Sequence, residues 1–177
     1  KIHFFWVDER CVPPTDKESN YGNAKRFLLE QVRIPSSNIH RIMGENDPEQ
    51  EAVRYGNELK NILPQINGLP SIDILLLGMG SDGHTASIFP GQPHLLSSIN
   101  PAETSMHPSG QKRITLSGKT INNASTVFFF VTGKDKSDVV SAVIRKEKGF
   151  QDLPAAYIKP ISGNLNWYLD QDTASLL

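Results

Sequence analysis

The sequence predicts an α/β domain: an open, mostly parallel sheet with helices on both faces. Three observations lead there. Short apolar runs rich in β-branched and aromatic residues, IHFFWV, IDILLLG and STVFFFVTG, read as buried strands. Segments with helical periodicity lie between them, and strands alternating with helices argue for βαβ units. No internal repeat, low-complexity tract or long linker divides the 177 residues, which are enough for one domain over 1–177 with a sizeable core.

The elements follow in order. Ile2 to Val7 is the first strand. DERCVPPTDKESNYG is a polar loop holding Pro13 and Pro14. NAKRFLLEQV carries Phe27, Leu28 and Val32 at helical spacing, and Pro35 closes that helix. A second helix runs from Pro48, which suits a first-turn position, to Leu63. IDILLLG is the second strand. Residues 91 to 112, rich in Pro, Ser, Gly and His, read as a long surface loop. RITL and STVFFFVTG are strands. KDKSDVVSAVIRKE is a helix with Val139, Val140 and Val143 on one face, AAYIKP is a last strand, and LNWYLDQDTASLL is a C-terminal helix.

Composition excludes several classes. The formal net charge is −1, so no whole-protein field favours nucleic acid or an anionic membrane. An anionic ligand must then be held by local arginines, lysines and backbone amides. Cys11 is the single cysteine, which excludes an internal disulfide and a cysteine-cluster metal site. No apolar run reaches the ~18 residues of a membrane span. A reduced, cytoplasmic setting is expected. The chain opens without Met directly on a strand-like run, which points to a missing N-terminal segment.

In an open α/β sheet, ligands bind beyond the carboxyl ends of the strands. Three polar clusters fall there: Asp8-Glu9-Arg10, Gly78 to His84, and Thr132 to Lys136. Gly78, Gly80 and Gly83 match G-x-G-x-x-G, but a dinucleotide site needs an acidic residue about 20 positions on at a strand end. The nearest, Glu103, sits in the PAETSMHP loop, so the nucleotide reading fails on context. The glycines still allow a tight turn whose backbone N–H groups face a ligand. His84, beside Asp82 and ahead of a short helix-like stretch, then suits a general base. Read alone, DGH is better taken as a helix-capping Asp and a hydrogen-bonded surface His. Arg10 suits a forked grip on phosphate or carboxylate, or a loop whose charges pair with each other. Lys134 and Lys136 at a helix start oppose the helix dipole, a conflict that a bound anion would resolve and solvent screening would soften. Cys11 has no activating partner, and His3, His40, His94 and His107 lack metal-ligand spacing. Without G-x-S-x-G, a serine-hydrolase triad has no starting point.

GMGSDGHTASIFPG closely resembles the histidine motif of 6-phosphogluconolactonases, and VDERCVPPTDKESNYGNAKRFLL resembles that family's strand-end DER loop with its S-N-Y continuation. RIPSSNIHRI, RITLSGKTINNA, VTGKDK and LNWYLD match further family segments in the right order, so the resemblance covers essentially the whole chain. It implies a Rossmann-like fold shared with glucosamine-6-phosphate deaminases. It also implies hydrolysis of 6-phosphoglucono-1,5-lactone to 6-phosphogluconate in the pentose phosphate pathway, with no cofactor and no required metal. The partner it implies is a small phosphorylated sugar lactone; no oligomeric state follows. His84 matches the family's proposed general base, Asp82 its neighbour in the motif, and Arg10 its strand-end arginine. Lys136 matches a phosphate contact, and Arg113, opening RITL, a substrate contact. Asp8, Glu9, Gly80 and Gly83 complete the expected substrate-binding set. The family also carries an N-terminal strand–loop–helix with a Ser-Gly-Gly-Ser type phosphate loop that nothing here matches. Residues 1–177 alone are therefore expected to be poorly soluble or nearly inactive.

In the implied mechanism a neutral His84 takes a proton from water, which attacks the lactone carbonyl. Asp82 or a nearby backbone group orients the imidazole, while Arg10 and backbone N–H groups stabilise charge. One rival is a sugar-phosphate isomerase/deaminase of the same fold. The Thr-Ala-Ser-Ile-Phe-Pro tail after His84 favours the lactonase, since deaminases resemble DGHIAFNEP there. Another rival is a non-catalytic sugar-phosphate-binding module, which binding without turnover would reveal.

Overall fold

A computed structural model describes residues 2–177. The chain runs β1 (Phe4–Phe5), β2 (Asp8–Arg10), α1 (Asn20–Ala24), β3 (Ile39–His40), α2 (Pro48–Ile62), β4 (Gln65–Ile66), β5 (Leu69–Pro70), β6 (Ile74–Leu77), α3 (Pro93–Ser97), β7 (Ala102–Met106), β8 (Lys112–Leu116), α4 (Gly118–Asn122), β9 (Thr126–Val131), α5 (Ser137–Arg145) and β10 (Leu165–Leu169). β10, β9 and β6 form a parallel sheet in that order, and β1 pairs in parallel with β3. A second sheet, β2–β8–β7, is antiparallel. The parallel α/β frame is as expected; the antiparallel sheet is an addition that matters for the site.

The side chains of the parallel sheet alternate as pleating requires. Leu75, Leu77, Val127, Phe129 and Val131 point into a core shared with Ile114 and Leu116 of the second sheet. Trp167 lies flat on Phe129, with ring centroids 4.1 Å apart. The opposite face turns Ile74, Leu76, Phe130 and Tyr168 outward, each more than half exposed. Both long helices form where periodicity placed them. Asp47 accepts the Gln50 N–H at the start of α2, Pro48 occupies its first turn, and Tyr55 and Leu59 are buried. α5 buries Val139, Val140 and Val143.

Several elements differ from expectation. The run Ile2–Val7 breaks after Phe5, because the Tyr55 hydroxyl takes over the Trp6 backbone: it accepts the Trp6 N–H at 2.8 Å and lies 2.9 Å from the Trp6 carbonyl as donor. Asp8–Arg10, expected as loop, then crosses into the second sheet as β2. α1 begins at Asn20 rather than Asn23, because Ser19 caps it by accepting the Gly22 N–H, and it continues as a wider turn over Lys25–Leu29. Residues 91–112 contain α3 and β7; AETSM is too polar to announce itself as a strand, and its pairing with β8 supplies the order. AAYIKP, expected as a strand, is a helical turn over Pro154–Tyr157. LNWYL, expected as helix, is β10, where Trp167 and Tyr168 stack on Phe129 and Phe130 from opposite faces. No helix among the described residues is long and apolar enough to cross a membrane.

Candidate active site

β6 ends at Leu77, and the next seven residues fold into a tight turn that carries His84. The Gly80 N–H donates to the His84 carbonyl and the Gly83 N–H to the Gly80 carbonyl, both at 3.0 Å. The expectation that Gly80 and Gly83 offer amides to a ligand is therefore corrected: both are used inside the turn. Their role is steric. A Cβ on Gly80 would lie 2.3 Å from the His84 ring, and Gly83 has a φ of +77° with Leu153 packed against it. The helix-like stretch after His84 is also corrected. Thr85 and Ile88 form an antiparallel bridge, and Ala86 adopts a positive φ of 50°.

The turn puts His84 Nδ1 2.6 Å from Asp82 Oδ1, and the same oxygen accepts the His84 backbone N–H. A carboxylate oxygen can only accept, so in the neutral ring Nδ1 carries the proton and Nε2 keeps its lone pair. The ring rests on Phe89, centroids 4.6 Å apart, and is partly exposed.

Two short polar side chains tie this turn to its surroundings. Thr85 Oγ1 donates to the Gly78 carbonyl at the end of β6. Ser87 Oγ donates to Asp8 Oδ2 at 2.6 Å, and the Ser87 N–H donates to Thr115 Oγ1 of β8. The parallel sheet's turn is thereby fastened to the antiparallel sheet, which supplies the cationic groups. In the β2–β8 register Arg10 lies directly opposite Arg113. Arg10 Nη1 donates to the Glu18 carbonyl at 2.5 Å, while its buried Nε has no partner. Arg113 Nε donates to Gln111, and its guanidinium lies 5.4 Å from the Phe89 centroid. Partial burial, then the charge of Arg10, lowers the Arg113 pKa. Asp8 lies within reach of both guanidiniums and of His84; burial raises its pKa against the lowering effects of Ser87, Arg10, Arg113 and His84.

Glu9 does not belong to this surface, and its reading as a substrate contact is corrected. It is 2% exposed. One oxygen accepts the Arg10 and Asn20 N–H groups, and the other accepts the Tyr21 N–H and the Ser19 hydroxyl. It anchors the start of α1, where a carboxylate meets free amides and the positive end of the helix. Lys136 stands at the carboxyl end of the neighbouring β9, half-buried, in a turn that leads into α5. The dipole conflict noted there is partly met by Asp170, which accepts the Gly133 N–H and is close enough to feel the charge of Lys136. Burial pushes the Cys11 thiol up to about 11, which excludes it as a nucleophile at neutral pH. No group of three metal-ligating side chains occurs among the described residues.

The structure thus brings together His84, Asp82, Asp8, Arg10 and Arg113, and places Lys136 on the same sheet edge one strand away. Sequence reasoning missed Ser87, Phe89 and His107. The first two lie inside the quoted histidine motif, and the third was considered only as a metal ligand.

The family model for glucosamine-6-phosphate isomerases/6-phosphogluconolactonase matches residues 1–167. The chain belongs to this family. Within the glucosamine-6-phosphate isomerase/6-phosphogluconolactonase family, it is similar to the 6-phosphogluconolactonase of Haemophilus influenzae, 43% identical over 177 residues, covering 99% of this chain and 74% of that protein. It superposes on the solved devB protein with a TM-score of 0.93 at 43% identity, covering 98% of this chain and 73% of that one. The 6-phosphogluconolactonase of Trypanosoma brucei matches with a TM-score of 0.86 at 30% identity, covering 99% and 74%.

Proposed function

We propose that this chain hydrolyses 6-phosphoglucono-1,5-lactone to 6-phosphogluconate, the ring-opening step of the pentose phosphate pathway, with His84 as general base. The observation that carries the reading is the imidazole whose Nδ1 is held by Asp82, while Nε2 has no partner among the described residues, on the same Phe89 ring that the Arg113 guanidinium overlies. The names of relatives more than 40% identical over nearly the whole chain support the lactonase over the deaminase branch of the family.

In this reading Nε2 takes a proton from water as it attacks the lactone carbonyl, and the imidazolium returns that proton to the ring oxygen as the C1–O5 bond breaks. Asp82 fixes the tautomer and stabilises the imidazolium that forms. Negative charge develops on the carbonyl oxygen, and Arg10 and Arg113 are the groups to meet it, since the Gly80 and Gly83 amides are committed elsewhere. Two like charges facing each other across a strand pair are unfavourable without an anion between them. Lys136 takes the phosphate. The lactone is already activated, so no covalent intermediate is required. Residues 1–177 act as one domain in the cytoplasm, with one continuous core beneath both sheets.

The test, on the full-length protein, is acid release from freshly prepared 6-phosphogluconolactone, followed above the spontaneous rate. His84→Ala should lower kcat by about 10²-fold or more with the fold intact. Activity within a few-fold of wild type would move the base elsewhere, and binding of 6-phosphogluconate with no turnover by the wild-type chain would favour a binding module.

A further inference from the structure

His107 has no role in the mechanism above, yet it stands among its groups. It opens the tip of the β7–β8 hairpin, where its N–H donates to the Gln111 carbonyl and its carbonyl accepts the Gly110 N–H. Its ring meets Phe89 edge-on, centroids 5.0 Å apart at 89°. Phe89 is the ring on which His84 rests and over which Arg113 lies, so one buried phenyl sets the positions of three polar groups.

The tautomer of His107 is fixed by its neighbours. Nδ1 accepts the Ser109 backbone N–H at 3.0 Å, and the Ser109 hydroxyl lies 2.7 Å away. A backbone N–H can only donate, so in the neutral ring the proton sits on Nε2. Nε2 has no partner among the described residues. Partial removal from water, and then the charge of Arg113, hold its pKa below the ordinary value, which favours the neutral ring. His84 and His107 are therefore complementary imidazoles on one phenyl: the first presents a lone pair and the second a donor.

Resting on the lactonase reading, we propose that His107 contacts the substrate, its Nε2–H donating to a hydroxyl oxygen of the sugar while His84 works on the carbonyl. The contact serves binding of the polyol portion and not the chemical step. A neutral donor suits an uncharged hydroxyl, and the phosphate is left to the cations. The hairpin tip thereby becomes part of what selects a phosphorylated sugar acid over a bare phosphate.

The experiment compares wild type, His107→Leu and His107→Gln, because glutamine can place an N–H near the Nε2 position and leucine cannot. The leucine variant should raise KM for the lactone, and the inhibition constant of 6-phosphogluconate, by about 3- to 10-fold, as for one neutral hydrogen bond. The ratio kcat/KM should fall by the same factor, as expected when ground state and transition state lose the same contact. Inhibition by inorganic phosphate should not change, and the glutamine variant should return KM to within about twofold of wild type. A leucine variant with wild-type KM and inhibition constant overturns the proposal. So does an equal loss for inorganic phosphate, or a glutamine variant as impaired as leucine. Each of these outcomes leaves the lactonase reading in place provided the full-length wild type turns over the lactone; a full-length wild type that does not ends that reading and this proposal together.

Discussion

Gly80→Ala isolates the contribution of the His84–Asp82 geometry. Gly80 does not have a positive φ, so alanine is allowed by the backbone. The obstacle is a single methyl. It would lie 2.3 Å from His84 Cε1 and Nδ1, and 2.7 Å from Asp82 Oδ1. Ordinary carbon contacts need about 3.5 Å, so the ring must withdraw by about 1 Å. The hydrogen bond between Nδ1 and Asp82 is 2.6 Å long and shares that space, so ring and carboxylate are pushed in different directions. Misplacement of a catalytic group by about 1 Å can cost about 10²-fold. The variant should therefore fold, bind 6-phosphogluconate within about threefold of wild type, and lose most of the kcat that His84→Ala loses, an expectation resting on ground-state contacts being retained. The assay is kcat from proton release, alongside thermal unfolding. A kcat within threefold of wild type with an unchanged melting temperature would refute the argument that the glycine is there to let the pair close.

Three further outcomes are expected. Glu9→Ala leaves the N–H groups of Arg10, Asn20 and Tyr21 without their acceptor; it should cost about 3 kcal/mol or more, about 6–12 °C in melting temperature, whereas His84→Ala should be nearly neutral in the same scan. Asp8 has a raised pKa in the folded protein, so its stabilising share is full below the unfolded value of 3.8 and is lost as pH rises through the folded value. Asp8→Asn should thus gain stability relative to wild type between acidic and neutral pH, as read by urea unfolding at both; a constant difference would place the raised pKa elsewhere. Lys136→Ala should weaken 6-phosphogluconate binding more than Lys119→Ala, whose exposed lysine lies on α4, and equal losses would make Lys136 an ordinary surface residue.

The parts of the fold that could be read from the sequence were those with a strong period or a continuous apolar run. α2, α5, β6 and β9 fall where expected because burial and periodicity agree there. The misread elements are those whose identity comes from partners distant in sequence. β2 is a strand because β8 pairs with it 107 positions away at Asp8 and Thr115; DER alone has the composition of a loop. β10 is a strand because of its aromatic stacking on β9. For the site, residue types at strand ends identified Asp82, His84 and Arg10 as candidates. What no local pattern could give is the direction of a side chain or the fate of an amide. Glu9 turns inward while Asp8 and Arg10 on either side do not, as alternation along a strand dictates once the segment is known to be a strand.

The site gathers local arrangements that lower stability. Arg10 and Arg113 face each other across a ladder, Arg10 Nε is buried without a partner, and the carboxyl of Asp8 is pushed toward its neutral form by burial. Ala86, in the turn after His84, takes a left-handed backbone that a non-glycine residue adopts at some cost. Each is unfavourable on its own, and all surround the same imidazole. The supporting contacts are well satisfied by comparison: all four donors to Glu9, the capping hydroxyl of Ser19, and the Thr85 and Ser87 links. A charged, partly buried cluster held by a rigid frame is what an anionic substrate with a developing oxyanion requires, because the groups that would stabilise the charge are already in place before it forms. It follows that ligand and stability are linked with a definite sign. Binding of 6-phosphogluconate should raise the melting temperature of wild type more than that of Arg113→Ala, since the ligand relieves a repulsion that the variant no longer has and loses a contact that the variant no longer offers.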